Sequence, residues 1–216
     1  MCPNATLLVD CLCAISEGKM TFDGFRELAG IRSVTVANEI LKFLLERGVG
    51  KRHSIALLSF SATDRLRASI VAVSLGADVM KISKLLSWKD FERFASEILL
   101  NSGFHTMNNV RFIKPRAEID IVATKSQLSL SIDCKHWNNN GRTGLLSHTQ
   151  KQIQRTQRLL ESPFEFRKAV PVLLTIYPVH RPCYSNLVPI VAINKFQGFV
   201  NEIEFNLDKV LCISKV

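Results

Sequence analysis

Glu118-Ile-Asp-Ile-Val-Ala-Thr-Lys-Ser-Gln-Leu-Ser-Leu-Ser-Ile-Asp-Cys-Lys-His-Trp137 is the stretch on which the reading of this sequence turns. Two apolar runs, 118–123 and 128–134, flank a turn-like Thr124-Lys-Ser-Gln127, the pattern of a β-hairpin. Apolar residues should fill a central strand, yet Asp120, Asp133 and Lys135 stand among Ile, Val and Leu. Strand side chains alternate faces, so Asp133 and Lys135 project to one side while Ile132 and Cys134 project to the other. With so short a turn, Asp120 reaches the neighbourhood of Asp133. Buried charges of this kind are costly unless they are paired or bind a metal.

Two carboxylates converging with a backbone carbonyl form a hard-oxygen site suited to Mg²⁺ or Mn²⁺. Such an ion polarises a scissile phosphate and activates water, and a neighbouring ammonium orients that water or meets the developing charge. The plainer alternative is a surface hairpin whose Asp133 and Lys135 form an exposed ion pair worth little.

Working outward, 88–101 reads as an amphipathic helix with Ser87 as N-cap, Asp90 in its first turn and Gly103 as its stop. A strand is expected over 110–113, a helix over 145–160, and apolar β-type runs over 170–176 and 188–192. A short helix over 194–200 and a last strand over 210–214 complete this half. That order implies an α/β domain, a mixed sheet with helices on its faces.

The texture changes near residue 85. Before it, helical spacing recurs in Leu7, Leu8, Cys11, Leu12 and Ile15, and in Phe22, Phe25 and Leu28. A third helix runs from Val34, with Ser33 as N-cap and Gly48 as stop, then a weakly alternating ribbon over 51–60 and a helix over 62–75. Three short helices and a ribbon resemble a winged helix-turn-helix, which sets its third helix in the major groove. Arg32, Lys42, Arg47, Lys51, Arg52 and His53 fall where such contacts would lie, although a solvated basic face would carry the same residues. We therefore divide the chain into 1–84, a winged-helix-like, DNA-binding segment, and 85–216.

The formal charge of +9 favours a polyanionic partner, since each neutralised phosphate releases counterions. No apolar run approaches the roughly 20 residues of a membrane helix, so no membrane partner is expected. Six scattered cysteines without a CxxC pair argue against a zinc site or disulfide framework and for reduced thiols in a cytoplasm.

Asp120, twelve residues, then Asp133-Cys-Lys135 resembles the PD-(D/E)xK nuclease superfamily, with Asp in the (D/E) position. The segment Trp88-Lys-Asp-Phe-Glu-Arg-Phe-Ala-Ser-Glu-Ile-Leu-Leu-Asn-Ser-Gly-Phe104 is similar to the opening helix of Mrr-like restriction endonucleases and archaeal Holliday-junction resolvases. The wording Glu-Ile-Asp-Ile-Val-Ala with Asp-Cys-Lys-His-Trp is closest to the Mrr-like branch, which often lacks the proline that Ile119 replaces here.

The resemblance covers roughly 87–176. It implies a restriction-endonuclease-like fold and a Mg²⁺- or Mn²⁺-dependent DNA endonuclease. Asp120 and Asp133 would hold the ion, Glu92 rather than Glu97 would assist, and Lys135 would orient the water. A glutamine of the following helix would support the site: Gln152 matches best, with Gln150 and Gln154 as alternatives. Lys151, Arg155 and Arg158 would form a basic face flanking the cleft, as phosphate binding requires, although a solvated helix face would look the same. His136 and Trp137 touch phosphate or cap the strand, 138–142 forms a loop beside the site, and His105, His148 and His180 lack ligand partners at metal spacing. Nucleases of this class often act as dimers when both strands must be cut, which makes a homodimer the partner to test. The rival readings are a structure-specific junction resolvase and a non-catalytic winged-helix DNA-binding regulator.

Overall fold

The computed structural model describes residues 3–135, 142–176 and 184–215, without the side chains of Arg142, Thr143, Tyr184 and Ser185. The chain divides into two compact units, Met1–Asp90 and Phe91–Val216. No described helix is long and apolar enough to cross a membrane.

In the first unit, α1 (Ala5–Ala14), β1 (Gly18–Thr21), α2 (Phe22–Leu28) and α3 (Val34–Leu45) precede a ribbon of β2 (Lys51–Arg52) and β3 (Leu57–Phe60). Two helices follow, α4 (Asp64–Ser74) and α5 (Val79–Leu85). Ser33 Oγ accepts the Val36 N–H at 3.3 Å, so α3 starts where its cap demands. Its apolar stripe Ala37, Ile40, Leu41 and Leu44 is buried, as are Leu8, Cys11 and Leu12 of α1. The ribbon gains a third strand that its sequence does not announce: β1 pairs antiparallel with β3, giving the order β1-β3-β2. Gly50, at φ 78°, lets the chain pass the Phe60 ring, which a Cβ there would approach to 2.6 Å.

The second unit is built on a sheet in the order β4-β5-β6-β7-β9-β8, with β10 on β7. Its strands are β4 (His105–Phe112), β5 (Ala117–Lys125), β6 (Leu128–Lys135), β7 (Lys168–Thr175), β8 (Tyr184–Ser185), β9 (Val188–Ala192) and β10 (Ile213–Ser214). The helices are α6 (Trp88–Asn101), within which the two units divide, α7 (Arg142–Glu161) and α8 (Ile193–Glu202). β4, β5 and β6 form an antiparallel meander, whereas β6, β7 and β9 run parallel, with α7 as the crossover from β6 to β7. The sheet is mixed and helix-flanked, as the α/β reading expects.

The hairpin turn is tighter than Thr124–Gln127, because Lys125 already pairs with Leu128 and only Ser126, at φ 52°, and Gln127 lie between. Helix α7 docks through apolar ends. Leu145 packs with Leu173, Val188 and Ile190, and Leu159 and Leu160 pack with Ile119, Val122 and Phe166. Each such side chain contributes roughly 1.5–3 kcal/mol when buried. Between these ends the interface is polar: Thr149, Gln152 and Thr156 are buried at helical spacing.

Candidate active site

Strand β6 reads Leu128-Ser-Leu-Ser-Ile-Asp-Cys-Lys135, apolar and polar in strict alternation. Such a strand ordinarily turns its polar face to water. Here both faces are covered: Ser129 and Ser131 are fully buried and Asp133 is 3% exposed. The cover over the polar face is the middle of α7. Gln152 Nε2 donates to the Ser131 carbonyl at 2.7 Å and to Ser131 Oγ at 3.0 Å, fastening helix to strand. Gln152 Oε1 is buried with no hydrogen-bond partner among the described residues. Gln150 and Gln154 are exposed, so Gln152 is the glutamine of these three turned to the sheet.

The β5–β6 ladder runs from Lys125↔Leu128 to Ile121↔Ile132 and stops. One step further the same register sets Asp120 opposite Asp133, on one face of the sheet. There a side chain replaces the backbone partner, and Asp120 Oδ2 accepts the Cys134 N–H at 2.7 Å. β5 stays paired with β4 down to Ala117↔Phe112, and β6 with β7 up to Lys135↔Thr175. The sheet thus loses a rung between its two central strands where the two acids meet.

Asp133 holds two cations. Lys135 Nζ lies 2.7 Å from Oδ2, and Arg155 Nη1 donates to Oδ1 at 2.6 Å. Burial, and then the Asp133 charge, push the Asp120 carboxyl up to about 6, against the Cys134 N–H, Lys135 and Arg155, which pull it down. Burial first, then Asp120, Glu92 and Asp133, hold the Cys134 thiol well above its usual range, so it is protonated and unreactive.

Glu92 is buried in α6, close enough for its charge to bear on Cys134. Among the described residues no three His, Cys, Asp or Glu side chains gather as a cation site, so Glu92 is not clustered with Asp120 and Asp133. The two opposed acids nonetheless fit a divalent ion. They supply hard oxygens, and an ion between them would offset the burial first, and then the Asp133 charge, that raise the Asp120 carboxyl.

Of the basic residues expected to flank a cleft, Lys151 is exposed on α7 and Arg155 is committed to Asp133. Arg158 donates to the carbonyls of Lys114 and Pro115 and lies over the Phe112 ring, bracing the turn between β4 and β5. In the first unit, Lys51 is exposed on β2. Arg47 donates to the Phe43 carbonyl at 3.2 Å with its guanidinium 3.5 Å over the Phe43 ring. Arg52 donates to the Ser54 and Ile55 carbonyls and to Asn38 Oδ1.

One neighbour is set aside by the sequence reading as an isolated histidine. His148 shares the α7 face of Gln152 and Arg155 at i, i+4 and i+7, and its imidazole pKa is lowered by burial, then by Lys135. The heptad spacing of the three was the available signal. His136, Trp137, residues 138–141 and His180 lie outside the described residues.

Residues 83–186 match the family model described as restriction endonuclease. No curated protein matches the chain. Among solved structures, the crystal structure of a protein from Vibrio cholerae is similar at 14% identity, with a TM-score of 0.40, over 94% of this chain and 51% of its own. The chain thus spans about half the length of that protein, and a likeness this loose carries no argument.

Proposed function

We propose that this chain, whose residues 83–186 match the restriction endonuclease family model, is a Mrr-like member of the PD-(D/E)xK superfamily and a divalent-metal-dependent DNA endonuclease. The observation that carries this reading is the opposition of Asp120 and Asp133 where the β5–β6 ladder ends, with Lys135 Nζ 2.7 Å from Asp133. Asp120 and Asp133 would hold Mg²⁺ or Mn²⁺, whereas Glu92, buried in α6 but not gathered with them, stands outside that ligand pair. An ion held there would supply polarisation of a scissile phosphate and activation of a water. Lys135, whose Nζ lies 2.7 Å from Asp133 Oδ2, would orient that water. Gln152 holds α7 on the β6 face that carries Asp133. Exposed Lys151 meets the phosphate backbone.

The first unit, with its capped α3 and its ribbon carrying exposed Lys51, would act as a winged-helix DNA anchor. Cutting both strands would require two copies of the chain.

A cleavage assay tests this reading: wild type, Asp133→Ala and Lys135→Ala, with Mg²⁺ or Mn²⁺, on linear duplex, four-way junction and single-stranded DNA. We expect metal-dependent cutting by the wild type that both variants lose. Equal inertness of all three on every substrate overturns the enzyme. Preference for the junction over duplex identifies a resolvase.

A further inference from the structure

Asp133 carries more positive charge than a metal ligand can keep. Its carboxylate, 4% exposed, meets Lys135 on Oδ2 and Arg155 on Oδ1. A divalent ion between Asp120 and Asp133 would bring two further positive charges into the same recess, where repulsion is weakly screened. The ion would then compete with the two resident cations for the Asp133 oxygens. Lys135 springs from β6 itself, two residues from Asp133, and is 20% exposed. Arg155 reaches across from α7 and is 28% exposed, so its guanidinium has a side open to water.

On the proposed reading of this centre as a metal site, we infer that Arg155 is a guanidinium gate. It holds Asp133 Oδ1 in the metal-free protein and is displaced when the divalent ion binds, which frees it for a DNA phosphate.

The neighbours of Arg155 on α7 show why it can serve so. Three residues earlier, Gln152 is fully buried and fastens the helix to Ser131 through two hydrogen bonds, so α7 stays seated when Arg155 leaves. Three residues later, Arg158 is bound to the carbonyls of Lys114 and Pro115 and has no such freedom. Fastener, gate and brace follow one another at successive turns. A guanidinium is suited to the exchange because carboxylate and phosphate offer it the same paired-oxygen geometry.

The test is Mn²⁺ binding without DNA, followed by titration calorimetry on the full chain and on Arg155→Gln and Arg155→Lys, with Asp133→Asn as control. Removing a cation that competes for Asp133 should tighten Mn²⁺ binding by about three- to tenfold in Arg155→Gln. Arg155→Lys, which keeps the charge, should stay near wild type. A purely structural Arg155 predicts the opposite sign, because losing its pair would loosen Asp133. Unchanged or weaker Mn²⁺ binding by Arg155→Gln, with normal binding by the wild type, therefore sinks the gate and leaves the metal site standing. Absence of Mn²⁺ binding in wild type and every variant sinks both.

Should Arg155→Gln not fold, arginine side-chain NMR of the wild type decides. Restricted guanidinium rotation of Arg155 in chelator should become free on saturation with Mg²⁺. An unchanged signal rejects the gate.

Discussion

Asp64 in the first unit and Asp133 in the second are buried almost equally, 4% and 3% exposed, and they mean different things. Asp64 opens α4. Its Oδ2 accepts the Ser61 N–H at 2.6 Å, and Oδ1 lies 3.5 Å from Arg67, whose side chain is 56% exposed. Both partners are three residues away, so a local turn explains the buried acid completely. Asp133 sits within a covered strand, and Arg155 comes to it from 22 residues along the chain. No helix end or turn requires a carboxylate there. Burial of a charge does not mark a site; burial of a charge that local structure does not need does.

The largest expected effect would break that comparison if it failed. On the proposed function, Asp133→Asn should lower metal-dependent cleavage by on the order of a thousandfold, since it would remove a proposed ligand together with the anchor of Lys135. Asp64→Asn should leave cleavage within about twofold and cost about 1 kcal/mol of stability through its weakened bonds to Ser61 and Arg67. Turnover on duplex DNA, set beside urea unfolding of each variant, reads both. A cleavage loss in Asp64→Asn as deep as in Asp133→Asn, in protein that remains folded, would erase the distinction.

Asp120 sharpens the comparison through pH. Its folded carboxyl, at about 6, lies above the unfolded value of 3.8, so the folded chain binds that proton more tightly. The stability it contributes is full below about 3.8 and is lost as pH rises through about 6. In chelator, the unfolding free energy should therefore fall by about 2–3 kcal/mol from this group between those limits. Asp120→Asn should flatten that part of the profile. A profile equally steep in the variant would assign the slope to other groups.

Why this centre was half legible in the sequence is plain at β6 and α7. Asp120, Asp133 and Lys135 stood out because charges interrupt apolar strands, and α6 was readable end to end because Ser87 caps it, accepting the Asp90 N–H at 3.2 Å. The Leu-Ser-Leu-Ser alternation, however, is the pattern of a strand with one wet face, and strand periodicity cannot tell that α7 covers it. The ion pair of Arg155 was hidden for the same reason: a basic helix face reads as solvated or phosphate-binding until its partner is seen. β1 escaped because Gly18-Lys-Met-Thr has almost no apolar signal and depends on β3 for its pairing. α5 had a usable sign in Asp78, which accepts the Met80 N–H at 2.8 Å, but only seven residues follow it.

Gln152 probes the polar cover directly. Gln152→Leu keeps the bulk but strips two donated hydrogen bonds from Ser131, leaving a buried hydroxyl and carbonyl short of a donor. A loss of about 1–3 kcal/mol is expected in thermal or urea unfolding. An unchanged midpoint would mean that α7 is held by Leu145, Leu159 and Leu160 alone.

The smallest effects belong to the ribbon of the first unit, where adjacent residues Lys51 and Arg52 look interchangeable in sequence. Arg52 donates to two backbone carbonyls and to Asn38, and it lies 5.5 Å from the Phe22 ring, so most of its hydrogen-bonding capacity is spent inside the unit. Arg52→Ala should lower stability by about 1 kcal/mol, because three acceptors lose a charged donor at an exposed site. Lys51 is exposed, and Lys51→Ala should move stability by less than about 0.5 kcal/mol. Its effect should appear instead in DNA affinity, where one lost phosphate contact lowers the slope of log affinity against log salt by about 1. Binding measured from low to high salt separates the two residues. If Lys51→Ala leaves the slope untouched, the ribbon is not a DNA contact at that position, and exposed charge in the first unit is solvation alone.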